Sequence, residues 1–353
     1  MGLYDRVADL PLTVEGYDLE RHERETSSAF TRVSTVVVLD GADETGRGED
    51  VTYDAADHDR LHAAHETGWS LNLAGEYTVE TFSRALDDVT LFPEPPESET
   101  ARHYRRWALE SAALDLALRQ ADTDLASALG RQYDPVRFVV STRLGEAGLG
   151  RIEQLLAVAP DAEFKLDPTD EWDDDLVAGL LDLAGDRVRV LDFKGHYEGT
   201  DVDAEPDPDR YRRIAEAFPD AVIEDPAVTD ETAPVVESFR DRVSFDAPVT
   251  GVESVEALPV EPRWLNVKPS RFGTVESLLD TIEYCQERDV RLYGGGQFEL
   301  SVGREHVQAL ASLCYPDGPN DVAPGGYNDP EPAADLPTSP LSPPADPSGL
   351  AWH

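Results

Sequence analysis

The chain has 353 residues, 72 of them Asp or Glu against 30 Lys or Arg, for a formal net charge of −42. That length suits one large domain plus a smaller one, and 40% hydrophobic residues are enough for a full core. Charge of this sign repels nucleic acid and anionic membrane surfaces, so neither is an expected partner. The acidity is spread along the whole chain, which points to a solvated surface adapted to high salt and a halophilic source. Only three of the basic residues are lysines: Lys165, Lys194 and Lys268. A chain that has shed lysine from its surface keeps these three, and each ends a short apolar run. Cys285 and Cys314 form no CxxC pair and suit a reducing compartment. No secretory leader and no apolar run near the roughly 20 residues of a membrane span is present, so a cytoplasmic protein is expected.

In chain order, RVSTVVVLDG (Arg32–Gly41) reads as a β-branched strand and GRGEDVTY (Gly46–Tyr53) as its hairpin partner. His58, His62 and His65 share one face of a predicted helix, where a zinc site competes with an ordinary interface helix. HYRRWALESAALDLALRQ (His103–Gln120) predicts a helix apolar on most sides and buried between two bodies. From about Val136, apolar runs alternate with helical stretches: RFVVST, EFKLDPT, VRVLDFKG, AVIEDPAV, VSFDAPV, WLNVKPS and VRLYGGG. This rhythm predicts parallel βαβ units. Steps of about 32, 22 and 22 residues from Asp192 to Glu224, Asp246 and Lys268 fit the repeat of an eightfold barrel. The eighth unit is poorly marked, because YPDGPNDVAP is too irregular to read as a strand. The resulting fold class is α/β: a modified (β/α)8 TIM-type barrel over residues 126–325, with an α+β capping domain over 1–125. The proline-rich tail, 326–353, has the composition of a linker and is expected to pack near the capping domain.

In such a barrel the reactive groups stand at the C-terminal strand ends. Five consecutive predicted strands finish in charge: Lys165-Leu166-Asp167, Asp192-Phe193-Lys194, Glu224-Asp225, Asp246 and Lys268. Asp192, Glu224 and Asp246 are carboxylates from neighbouring strands, an oxygen set suited to a hard cation such as Mg2+. Lys165 and Lys268 then face each other across the barrel. A free lysine titrates near 10.4 and is a poor base at neutral pH. A nearby dication and other lysines disfavour the ammonium and make a general base of it.

These residues carry a resemblance. The D…E…D set, the strand-six KPSRFG, the GRGED turn, ALESAALDLAL and GGGQFELSVGREHVQALASL resemble the enolase superfamily, within its muconate-lactonizing and o-succinylbenzoate synthase-like branch. The resemblance implies a capping domain over a modified barrel, Mg2+ at Asp192, Glu224 and Asp246, and Lys268 as a base or cation stabiliser. It also implies that two capping-domain loops, GYDLERHERETSSAFTR and GEDVTYDAADH, close over the substrate. Tyr17, Arg21, His22, Arg24 and Tyr53 are then candidate contacts. Arg271 and Arg304 either bind a distal carboxylate or brace loops, Gly294–Gly296 let backbone approach the substrate at Gly295, and Glu299 lines the pocket.

The sequence departs from that pattern. The branch carries KxK on strand two, and here Lys165 takes the second place of EFK or Asp167 the second place of KLD. Strand three ends DFK rather than DxN, so Lys194 stands where an amide is expected. Either Asp167 and Lys194 exchange roles, making Lys194 catalytic beside Lys165 and Lys268, or Lys194 forms a structural ion pair. The activity expected is Mg2+-dependent removal of a proton α to a carboxylate in a small-molecule acid. A lyase of the o-succinylbenzoate synthase or cycloisomerase type comes first, and a racemase or epimerase second. A non-catalytic barrel that binds a metal or a small acid is the reading from another class. A homo-oligomer is expected.

Overall fold

The computed structural model describes residues 2–28, 30–144, 148–197 and 204–352. Ala29, in the first expected substrate loop, and Glu198 and Gly199, just beyond DFKGHY, lie outside the described residues. The N-terminal part holds five strands: β1 (Pro11–Val14), β2 (Gly16–Glu25), β3 (Thr31–Gly41), β4 (Glu44–Asp50) and β5 (Gly75–Thr78). β3 and β4 form the expected hairpin through Ala42 and Asp43, at φ 50° and 63°. Two left-handed residues give the turn whose twist matches right-twisted strands.

GYDLERHERE is strand rather than loop. β2 pairs with β3 from Gly16–Asp40 to Glu25–Thr31. β2 is the edge of this three-stranded sheet, and charged side chains there discourage pairing with another chain. The same charges conceal the strand from a hydrophobic pattern. The glycines of GRGED have a steric reason. A methyl group on Gly46 would lie 2.2 Å from the Ala112 carbonyl, and one on Gly48 2.0 Å from that of Ala108. The helix Thr100–Gln120 therefore lies directly on β4, and Leu109, Leu116 and Leu118 on it are fully buried.

The next residue, Glu49, joins the two parts of the molecule. Its buried carboxylate accepts hydrogen bonds from the backbone N of Leu300 (2.7 Å), Ser301 (3.0 Å) and Gly303 (2.9 Å). It thus satisfies free amides at the start of the helix Val302–Cys314.

The C-terminal part is a parallel sheet of β6 (Val140–Thr142), β7 (Phe164–Leu166), β8 (Val188–Asp192), β9 (Val222–Glu224), β10 (Val243–Phe245), β11 (Trp264–Val267) and β12 (Arg291–Gly294). They stand side by side in sequence order, with helices between them. The eighth position is a two-residue bridge. Asn320 pairs with Phe138 beside β6, and Asp321 pairs with Gly295 beside β12. Val139 N donates to Asn320 O and Asp321 N to Gly294 O, both at 2.8 Å. The Asn320 side chain adds to the closure, with Oδ1 accepting from Gly294 N at 2.6 Å and Nδ2 donating to Arg137 O at 2.9 Å. The irregular YPDGPNDVAP therefore closes the barrel through backbone and side chain together.

The proline-rich tail is docked. Leu341 exchanges backbone hydrogen bonds with Val136, Leu350 N donates to Asp115 Oδ1 at 2.8 Å, and the buried Trp352 meets the Tyr133 ring edge-on. The tail thus touches both the segment leading into β6 and the long helix Thr100–Gln120. Among the described residues, no helix is long and apolar enough to cross a membrane.

Candidate active site at the strand ends

The sequence of each barrel strand dictates what reaches its end. Apolar side chains hold β7 to β10 in the core, and charged residues in or just after the last positions of these strands reach the C-terminal rim. All three lysines of the chain arrive there. Lys165 Nζ lies 2.5 Å from Glu224 Oε1 and 3.2 Å from Asp192 Oδ2, with its side chain 2% exposed. Lys194 pairs with Asp192 Oδ2, and its backbone N donates to Asp192 Oδ1 at 3.1 Å. Its φ of 55° folds the chain back so that one residue grips both oxygens. Asp167 stands 3.7 Å from the Lys194 ammonium. Lys268 Nζ lies 2.9 Å from Asp246 Oδ2, and Arg271 Nε 3.0 Å from Asp246 Oδ1.

Residues below and beside this cluster fix the carboxylates. Tyr293 reaches through the barrel interior and donates to Glu224 Oε2 at 2.5 Å. Asn266 Nδ2 donates to Glu224 Oε1 at 3.1 Å. Asp225 accepts from Asp246 N (2.8 Å) and Ala247 N (3.0 Å), tying the ends of β9 and β10 together. Tyr197 donates to Asp246 Oδ2 at 3.0 Å, and Arg271 Nη2 donates to the Tyr197 oxygen at 2.9 Å.

The charges are buried and dense. Five carboxylates (Asp167, Asp192, Glu224, Asp225, Asp246) meet four cations (Lys165, Lys194, Lys268, Arg271). Burial pushes the Glu224 carboxyl up to about 8; Lys165 opposes this and the charges of Asp192 and Asp246 add to it. Burial, together with Asp246 and Asp192, pushes Asp225 up to about 7. Burial acts the same way on Asp192, but Lys194 and Lys165 outweigh it and hold the carboxyl well below its usual range. Arg271 and Lys268 do the same for Asp246. Burial favours neutral lysines, yet the carboxylates prevail and hold Lys165, Lys194 and Lys268 above their ordinary value. In the protein alone the lysines are therefore ammonium ions. The sequence reading had them lowered, which requires a dication to take up the carboxylate charge.

The donor set fits a hard cation. Carboxylate oxygens of Asp192, Glu224 and Asp225 lie within 4.8 Å of one another, all buried. The nearby Asn266 Oδ1 is buried without a hydrogen-bond partner among the described residues, and a bound cation would satisfy such an oxygen. The group brought together thus contains Asp225, whereas the sequence pointed to Asp246, whose carboxylate turns to Lys268 and Arg271.

Around the rim, Gly295 is a packing necessity, because a methyl group there would lie 2.9 Å from Lys268 Cε. Tyr53 comes over from the capping domain, half exposed, and donates to Gln297 Oε1 at 2.8 Å. Its ring meets Tyr104, which lies within the field of Arg271 and Lys268. Glu299 pairs with Arg304 at 2.9 Å and accepts from Gln297 N. Other candidates go elsewhere. The Tyr17 oxygen contacts His65 and Leu71 N, and Arg21 pairs with Glu23 and Asp59, so both serve the capping domain. Arg24 lies 3.7 Å from Asp329, and His22 3.9 Å from Glu20. The histidine face holds no zinc set. His58 bonds to Thr35 and Thr52 O, His62 to Thr35, and His65 to Tyr17.

Four site residues escaped the sequence reading, Tyr197, Tyr293, Asn266 and Tyr104, and Asp225 entered it only as part of a charged strand end. Asp225 sat in plain view in the run IEDP, but a second acid beside Glu224 carried no separate signal. Tyr197 and Tyr104 lie in a loop and on a helix, where sequence periodicity says nothing about the barrel mouth.

A capping domain over a parallel barrel, with lysines and carboxylates at the strand ends, is the fold of the enolase superfamily. A structure from Listeria innocua Clip11262 described as a member of that superfamily superposes with a TM-score of 0.65 at 17% identity, over 89% of this chain and 86% of that one. A dipeptide epimerase from Methylococcus capsulatus, complexed with a Mg ion, gives 0.64 at 17% identity, over 96% and 99%. The o-succinylbenzoate synthase of Geobacillus stearothermophilus is 26% identical over 286 residues, 73% of this chain and 74% of that protein. The chain belongs to the family described as domain of unknown function DUF8230, whose N-terminal domain matches residues 5–128 and whose C-terminal domain matches 132–329.

Proposed function

We propose that the protein is a Mg2+-dependent enzyme that removes the proton α to a carboxylate, as a lyase of the o-succinylbenzoate synthase or cycloisomerase type. The observation that carries this reading is the convergence of all three lysines on carboxylates from consecutive strand ends. Asp192, Glu224 and Asp246 would hold the ion. Asp225, although close, already receives a backbone N–H on each oxygen and acts to position Asp246. When bound, the ion supplies fixed positive charge beside the substrate carboxylate and offsets the carboxylates that keep the lysines protonated.

Lys268 takes the α-proton, and Arg271 and Tyr197 hold its partner Asp246 in place. Lys165 is enclosed between Glu224 and Asp192 and steadies them from beneath. Lys194, with a side chain 16% exposed, is the more open of the two lysines opposite Lys268. Tyr53, Gly295 and Glu299 form the wall of the pocket for a small carboxylic acid. The working form is a homo-oligomer of a cytoplasmic protein adapted to salt.

The test is deuterium uptake at the α-carbon, in D2O with molar KCl and Mg2+. The panel contains the o-succinylbenzoate precursor, N-acyl amino acids and dipeptides, followed by NMR. The expected result is metal-dependent exchange or a new product, abolished in Lys268→Ala. Full exchange in Lys268→Ala would overturn the assignment. A second reading, racemisation or epimerisation, is favoured by one specific observation: Lys194 and Lys268 stand at strand ends three strands apart around the barrel. Exchange with inversion and no loss of water would select it.

A further inference from the structure

We propose that Lys194 is a tethered counter-ion that a divalent cation must displace from Asp192, passing the ammonium to Asp167, so that ion uptake and release of Lys194 are one event. This rests on the reading of the strand-end carboxylates as the ion site. Both oxygens of Asp192 are held by the same residue, Oδ2 by the Lys194 ammonium and Oδ1 by its backbone N. An incoming cation competes for those oxygens. Lys165 also touches Oδ2, but it is anchored on Glu224 at 2.5 Å and only 2% exposed, so it has nowhere to go. Lys194 has somewhere to go. Asp167 lies 3.7 Å from its ammonium, and the face of the Tyr197 ring 5.2 Å away offers a second resting place for a cation. The φ of 55° fixes the backbone of Lys194 while its four-carbon stem swings. The pairing of Asp167 and Lys194 on neighbouring strands is thereby explained: one holds the charge that the other gives up.

The test is titration calorimetry of the chelator-stripped full chain with Mg2+, in the wild type, Lys194→Met, Lys194→Gln, Asp167→Asn and the double variant Asp167→Asn/Lys194→Met. Melting curves establish that each is folded, and Lys194→Gln stands in if Lys194→Met does not fold. The expected result is Mg2+ binding at least about tenfold tighter without Lys194, because a competing charge in contact with the ligand is gone. Asp167→Asn binds several-fold more weakly, since Lys194 loses its alternative partner. The double variant behaves as Lys194→Met alone. Unchanged or weaker binding in the Lys194 variants overturns the proposal. If Asp167→Asn weakens binding equally with and without Lys194, Asp167 acts as a plain nearby charge and the transfer step falls. If neither the wild type nor the Lys194 variants take up Mg2+, the ion-site reading fails, and the inference with it. If only the predicted change is missing, the ion site stands without the exchange.

Discussion

The two ends of the barrel use the same chemistry to different effect. At the N-terminal end, Arg137 and Arg189 converge on Glu163, and a cavity of about 790 Å3 opens beside them, lined also by Asp161, Asp186 and Arg187. Arg137 is 41% exposed and Glu163 17%. At the C-terminal end, Lys165, Asp192 and Glu224 are paired at 2% exposure or less. Both are arginine- or lysine-to-carboxylate clusters, and this cavity lies at the end without the lysines. Water decides the difference. Solvated pairs gain little and cost little, whereas buried pairs have lost hydration that only their partners replace. A large cavity is therefore a poor guide to chemistry in this molecule, and unrelieved buried charge a better one.

Three measurements would break or sharpen this contrast, in decreasing order of effect. Lys165→Met leaves Glu224 and Asp192 buried without their shared cation. It is expected to cost about 3–5 kcal/mol in urea unfolding, partly restored by Mg2+. A loss below about 1 kcal/mol would place the two ends of the barrel in one class. Mg2+ at a hundred times its dissociation constant is expected to stabilise the wild type by about 2.7 kcal/mol in thermal melts, and to leave Asp192→Asn unmoved. Equal stabilisation of both would locate the ion elsewhere. Arg137→Ala, at the solvated end, is expected to change stability by no more than about 1 kcal/mol, with no effect on Mg2+ uptake.

Much of this architecture was legible in the residues themselves. Short apolar runs ending in charge located the strands from β7 to β11. The scarcity of lysine marked Lys165, Lys194 and Lys268 as special before any contact was known. What escaped had physical reasons. β2 is an edge strand whose charged side chains carry no hydrophobic alternation. The eighth strand is two residues long and partly closed by the Asn320 side chain, which no propensity reveals. The sequence put Asp246 at a strand end, but not the contacts by which Lys268 and Arg271 hold its carboxylate there. The loop expected to carry Tyr17 and Arg21 is a strand, β2.

That two-residue closure has a mechanical meaning. Six of the barrel's junctions are ladders between true strands, while the remaining two, Phe138 with Asn320 and Gly295 with Asp321, are single bridges along one meridian. This seam has the fewest backbone rungs of the ring, one bridge on each side. The tail, laid across Val136 at the same margin, serves as an outer splint. One asparagine thereby acts as the clasp of the whole ring. Its amide holds Gly294, beside the glycine on which Lys268 rests, so the clasp and the candidate base share one short piece of chain.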